Sequence, residues 1–297
     1  MAKTSEVAQV FRTESPSGII IEYEPQPRRL YRVNGVEVPS VTTVLDVLDK
    51  KGLPWWGMTT GIEGTLALIN TGQIILARGE TQTIAAVYAE DGRTAIAAGV
   101  QQIVDLLTAN KLTVNHVRDK AGVRGVGVHD ALELWAKDGT VPDPSMFPAE
   151  EQGYVRGLLA FLCDVETAKA TACEVMVGSV EHGFAGRYDV RIKTSEPHQV
   201  VVHRTPKKGP QYALLAPGEY LGDLKSSKGV YSSHHRQLEA YEQASIECGY
   251  GATDGRGILH VSADGTYEFV RSTASFHDFR VVLDVWKSDE SMKALKR

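Results

Sequence analysis

Cysteine is scarce in this chain: three in 297 residues, Cys163, Cys173 and Cys248. Three scattered thiols build neither a disulfide framework nor a four-thiolate metal site, so a reducing compartment fits. No apolar run approaches the roughly 18–20 residues that cross a bilayer. The opening segment MAKTSEVAQVFRTESPSG has no apolar signal core, so a cytoplasmic location without membrane attachment is expected. An excess of positive charge is missing too. The formal net charge is −5, which gives no global attraction to a polyanion, so any such binding rests on local patches. There is no internal repeat and no low-complexity segment, which excludes a repeat architecture. What remains is an ordinary globular composition, 42% hydrophobic and 23% charged, with length for one large domain or a domain plus an appendage.

Local patterns divide the chain into two textures. RRLYRVNGVEVPS is a hairpin, because β-prone runs flank Asn34-Gly35. Ser40 caps a helix over SVTTVLDVLDK that ends before Gly52 and Pro54. Ala/Leu/Ile-rich segments from Met58 to about Leu112 suggest several helices. GVRGVGVHDALELWAKDGT places Val128, Leu132 and Trp135 at helical spacing, and EEQGYVRGLLAFLCDVE is amphipathic, with Tyr154, Leu158, Phe161 and Leu162 on one side. Strand signals follow: two strands turning near His182-Gly183, a loop over HRTPKKGPQYALLAPG, and the strand EYLGDLKSS. A helix from about Ser232 to Cys248, a hairpin about Asp264-Gly265 and a final helix complete the order. This predicts an α/β (α+β) fold, with residues 1–115 a hairpin and helical region and 116–297 the core.

Chemistry concentrates in that core. Asp223 and Lys225 are separated by one residue, so on a strand they stand side by side. Such a pair suits an ion pair on a strand end, and equally half of a metal-hydrolase site. Glu174 lies on the first predicted strand and Asp189 ends GFAGRYD on its neighbour; Gln237 and Tyr241 share a helix face four residues apart. Adjacent strands would bring Asp189, Asp223 and Lys225 to one edge. Two carboxylates there form a hard-oxygen site of the kind Mg²⁺ or Mn²⁺ accepts, and a lysine beside it orients water or stabilises charge developing on a phosphoryl group.

GRYD, then GDLKSSK, then QLEAY resembles the nuclease motifs of the PD-(D/E)XK superfamily in its RecB-like branch. GVGVHDALE is similar to that branch's first motif, and VPSVTTVLDVLDKKGLPWW to the opening of its bacteriophage exonucleases. The match runs from about His129 to Tyr241. The resemblance implies a restriction-endonuclease-like core, a mixed sheet flanked by helices. It implies that His129, Asp189, Asp223 and the Leu224 carbonyl bind Mg²⁺ or Mn²⁺, and that Lys225 acts on the nucleophilic water. Glu174 would assist through water or a second ion, while Gln237 and Tyr241 would support the site and contact the DNA strand. Some relatives hold an iron–sulfur cluster on four thiolates; three cysteines predict none here.

The expectation is a metal-dependent DNA exonuclease of recombination, replication or repair. Its substrate would be single-stranded DNA or duplex with ends, with a recombination protein as a further partner and the host cytoplasm as location if phage-encoded. The alternatives are a non-catalytic DNA-end-binding or assembly subunit that keeps the fold, and a small-molecule hydrolase using the same metal logic. Every catalytic position being filled weighs against the first. Residue by residue, plainer readings also exist: His129 with Glu133 as a helix-surface pair, and Trp55-Trp56 as packing rather than base stacking. Phosphate contacts are expected from Lys207, Lys208 and Lys228 and from the helix start His234-His235-Arg236.

Overall fold

A computed structural model describes residues 9–25, 29–48, 52–71, 92–205 and 209–295. The chain opens with β1 (Phe11–Glu14), β2 (Ile20–Glu24), β3 (Leu30–Val33) and β4 (Val36–Val38), an antiparallel sheet paired in sequence order. The turn signal Asn34-Gly35 marks only its second half, β3 and β4. The β3–β4 turn has Asn34 and Gly35 at φ 50° and 79°, the positive values that a two-residue hairpin demands. Ser40 accepts the Thr43 amide and caps α1 (Val41–Leu45), a shorter helix than expected.

Two compact units divide the chain, one of Met1–Leu48 with Arg124–Arg297 and one of Asp49–Val123. The sequence texture places a boundary at residue 115. The second unit holds α2 (Gly52–Asn70) and α3 (Gly92–Ala109). Gly64 brings them close, since a Cβ there would stand 2.8 Å from a Leu107 methyl.

The first unit is built on a five-stranded mixed sheet in the order β11-β10-β9-β6-β5. Its strands are β5 (Lys169–Ser179), β6 (Phe184–Thr194), β9 (Gly218–Lys225), β10 (Gly255–Val261) and β11 (Tyr267–Arg271). β9 and β10 are parallel and the other neighbours antiparallel. A parallel pair needs a crossover, and α6 (Ser232–Glu247) supplies it. α6 and α7 (Phe276–Ala294) bury Leu238, Tyr241, Phe279 and Leu283 against one face, together with Ile21, Tyr31 and Val33 of the N-terminal sheet. On the other face, α4 (Val114–Asp138) and α5 (Gln152–Asp164) bury Val128, Leu132, Leu158 and Phe161. Helices thus flank a mixed central sheet, as expected of the α+β class. Among the described residues no helix is long and apolar enough to cross a membrane.

The expected loop over HRTPKKGPQYALLAPG is corrected. β7 (His198–Thr205) and β8 (Gly209–Leu215) pair as an antiparallel ribbon. Gly209 enters β8 at φ 67°, and Pro210, which lacks an N–H, is tolerated because β8 has a partner on one side only.

Candidate metal centre

β6 and β9 pair from Thr194↔Gly218 to Val190↔Gly222, where their ladder stops. The next residues on the two strands are Asp189 and Asp223. Opposed residues of an antiparallel pair point to one face, so the register alone sets these acids side by side. In place of a ladder bond, Asp189 Oδ2 accepts the Leu224 amide at 2.6 Å.

The pleat also breaks here. Tyr188 packs in the cluster beneath α6, whereas Val190, two residues on, packs in the cluster beneath α5. Regular alternation would have kept them on one face. On β5, Glu174 lies between the pairs Cys173↔Val190 and Val175↔Tyr188, hence opposite Asp189, and its φ is 53°. Positive φ is uncommon for a side chain of this kind and concentrates at ligand and catalytic sites.

His129 reaches this point from α4. Its Nδ1 lies 3.6 Å from Asp189 Oδ1 and 3.7 Å from Glu174 Oε1. Ligand atoms of the three residues fall within 4.8 Å of one another. The alternative pairing with Glu133 is absent, because Glu133 bonds Lys137 at 2.7 Å. Burial opposes a charge on His129, but the Asp189 and Glu174 carboxylates outweigh it and push the imidazole up to about 9.

Asp223 is 1% exposed. β9 is the central strand, so this acid sits in the core and not at an open edge. Its Oδ2 is ion-paired with Lys225 Nζ at 2.6 Å, and neither carboxylate oxygen accepts a regular hydrogen bond, so Oδ1 has no partner of either kind. Burial pushes the Asp223 carboxyl up and Lys225 opposes the shift. Burial also disfavours the Lys225 charge, yet Asp223 and Asp189 overcome it and hold the ammonium protonated.

α6 closes the site from below. Gln237 Nε2 donates to the Tyr241 hydroxyl at 2.9 Å. Tyr241 is 4% exposed, and its ring occupies the space a Cβ on Gly186 would take, 2.5 Å from Cε1. The glycine of GRYD is therefore a seat for Tyr241. The ring of Tyr241 lies in the core.

The expected phosphate contacts fare differently. Lys207 and Lys208 lie outside the described residues, and Lys228 is exposed. Arg236 Nε donates to the Asp278 carbonyl at 3.2 Å. His234 accepts the Tyr231 amide at 3.3 Å and caps α6; burial, with Lys225, pushes it down to about 4, so it is neutral. Trp55 and Trp56 belong to α2. One residue was missed: Arg187 pairs through Nε with Glu174 Oε2 at 2.7 Å. Its signal was its place two residues before Asp189 on one strand.

The donor set fits a divalent cation. Two carboxylates and an imidazole, those of Glu174, Asp189 and His129, come within 4.8 Å of one another, and the neighbouring Asp223, outside that group, has a buried oxygen without the donor that burial ordinarily requires. Carboxylate oxygens suit Mg²⁺ and Mn²⁺, and the imidazole favours Mn²⁺ of the two. Neither a protein-family model nor a curated protein matches the chain.

Proposed function

We propose that this protein is a metal-dependent deoxyribonuclease with a restriction-endonuclease-like core, acting at DNA ends as an exonuclease of the RecB-like type. The observation that carries the reading is Asp223: a buried acid with one oxygen on the Lys225 ammonium and the other unpartnered, beside Asp189. His129, Asp189, Asp223 and the Leu224 carbonyl would hold the ion, Mg²⁺ or Mn²⁺. When bound, it neutralises charge at the phosphoryl group and makes water a better nucleophile.

The remaining work falls to the chain. Lys225, fixed by its bond to Asp223, offers ammonium protons to the attacking water and to the oxygens that gain charge in the transition state. Asp189 ties β9 to β6 through Leu224 and so fixes where Asp223 and Lys225 stand. Glu174 turns toward His129 and is steadied by Arg187. Gln237 and Tyr241 hold α6 against Gly186 beneath the acids.

The test is incubation with end-labelled linear DNA and with closed circular DNA, in Mg²⁺, in Mn²⁺ and in EDTA. Metal-dependent loss of the linear substrate alone is expected. Binding of ends without cleavage in either metal would replace this reading with that of an end-binding subunit.

A further inference from the structure

Lys225 is the last residue of β9 and closes its parallel ladder with β10, opposite His260. On the β6 side the pairing has already ended at Gly222. The end of β9 that carries Asp223 and Lys225 therefore lies past the ladder on one flank and at its last rung on the other. A strand end in that position frays unless side chains replace the missing bonds.

On the β6 flank Asp189 supplies the replacement by accepting the Leu224 amide. On the β10 flank His260 supplies it. Its Nε2 lies 2.7 Å from the Ser227 carbonyl. A carbonyl only accepts, so Nε2 carries the proton and donates. Ser227 in turn donates its hydroxyl to the Gly229 carbonyl at 2.8 Å and tightens the turn that leads from β9 toward α6. Lys225 thus stands between two side-chain anchors, one at Leu224 and one at Ser227.

His260 is itself held in place. It is buried, and Glu268 lies opposite it on β11 with Oε2 at 4.0 Å from Nδ1. The other oxygen of Glu268 accepts the Arg204 amide of β7 and lies 3.5 Å from His203 Nδ1. β7 and β11 therefore back the ring, and the ring passes that support to the turn after Lys225. On α4, the helix that carries His129, a Cβ on Gly125 would stand 3.8 Å from the Ser226 hydroxyl of the same turn. A buried imidazole needs a partner wherever it stands; this one takes its partner from the turn directly after the lysine.

We propose that His260 is a positioning residue for Lys225: by holding the Ser227 carbonyl it fixes the strand end from which the ammonium reaches the acids. The proposal rests on the deoxyribonuclease reading. Loss of this anchor leaves the metal ligands where they are, because Asp189 keeps its own bond to Leu224, but it lets the ammonium shift. A displacement on the order of 1 Å at a reacting centre costs up to about 10²-fold in rate. The effect therefore falls on kcat, with KM and the Mn²⁺ requirement unchanged.

The test is steady-state cleavage of end-labelled linear DNA in Mn²⁺ by wild type, His260→Ala, His260→Asn and His260→Gln, each assayed below its own melting temperature. Glutamine carries its amide nitrogen close to the place of Nε2, and asparagine falls short of it. His260→Ala and His260→Asn are expected to lose roughly ten- to a hundredfold in kcat, and His260→Gln to recover most of it. Wild-type kcat in His260→Ala would overturn the proposal, as would His260→Gln as slow as His260→Ala. A loss confined to KM or to the Mn²⁺ requirement would overturn it too. Should His260→Ala not fold, His260→Asn against His260→Gln decides, and equal rates overturn the proposal. Amide hydrogen exchange over Lys225 to Val230, measured in EDTA, separates the anchor from the nuclease reading. If wild type cleaves no DNA in Mg²⁺ or Mn²⁺, the nuclease reading falls. Exchange that is faster in His260→Ala and restored in His260→Gln then keeps the anchor, and unchanged exchange removes it.

Discussion

Asp189 accepts the backbone amide of Leu224 at 2.6 Å, where the β6–β9 ladder has just ended. One carboxylate thereby replaces a rung of the sheet and aims its other oxygen at His129. The two strands that carry the acids are joined by an acid.

Substitutions at Asp189 separate those two roles. Asp189→Ala leaves a buried amide unpaired and costs about 2 kcal/mol. Asp189→Asn keeps an acceptor for Leu224 and costs less, but it removes a metal-binding charge. Urea unfolding with Mn²⁺ titration checks both: Asn is expected to fold nearly as stably as wild type and to bind metal poorly. Equal instability of the two variants would mean that the Leu224 bond contributes nothing.

His129 is expected to tune metal affinity and choice. His129→Ala removes one donor and leaves Asp189 and Asp223 in place, and Glu133 keeps its own partner in Lys137. The Mn²⁺ concentration for half-maximal cleavage should rise, with partial rescue at high Mn²⁺ and less rescue by Mg²⁺, which prefers oxygen. A metal titration that overlays the wild type would remove His129 from the ligand set.

Two histidines are expected to shape the pH profile of stability in metal-free protein. His129 has a folded value near 9, above its ordinary 6.5. It therefore adds stability that is full below about 6.5 and fades as pH rises through 9. His234 has a folded value near 4, below its ordinary 6.5. The unfolded chain binds its proton first, so stability falls as pH drops from 6.5 toward 4. Denaturation across this range should show His129→Ala losing the alkaline dependence and His234→Ala the acid one. A His129→Ala profile with the wild-type alkaline slope contradicts the assignment.

Much of this was legible in the sequence. Asn34-Gly35 encodes its turn locally, because few residues accept positive φ twice in succession. Leu158, Phe161 and Leu162 announce the buried face of α5 by their spacing. Asp223 and Lys225 meet because of strand periodicity. The register that sets Asp189 opposite Asp223 depends on the pairing of distant strands, and no local pattern carries it. The left-handed Glu174 is a response to that pairing. Lys207, Lys208, Gly209 and Pro210 have loop chemistry, yet Gly209 and Pro210 begin a strand because β7 offers a partner. His129 and Glu133 had the spacing of a surface pair, and only the tertiary fold turns the imidazole to the acids.

Gly186→Ala is expected to destabilise the protein by about 1–3 kcal/mol, since the new methyl meets the Tyr241 ring. A smaller residue at 241 should relieve part of that cost, so Gly186→Ala with Tyr241→Leu should be less destabilised than the sum of the single changes. Thermal or urea unfolding of the cycle checks it, and strict additivity would mean the two positions do not touch.

The most direct measurement is the rate at which Lys225→Gln cleaves end-labelled DNA in saturating Mn²⁺, against wild type under the same conditions. Glutamine retains a donor for Asp223, so the fold and the metal ligands stay in place, but the ammonium facing the acids is gone. The account expects the rate to fall by a factor on the order of 10²–10³, with Mn²⁺ affinity close to wild type. A Lys225→Gln protein that cleaves at the wild-type rate would contradict it.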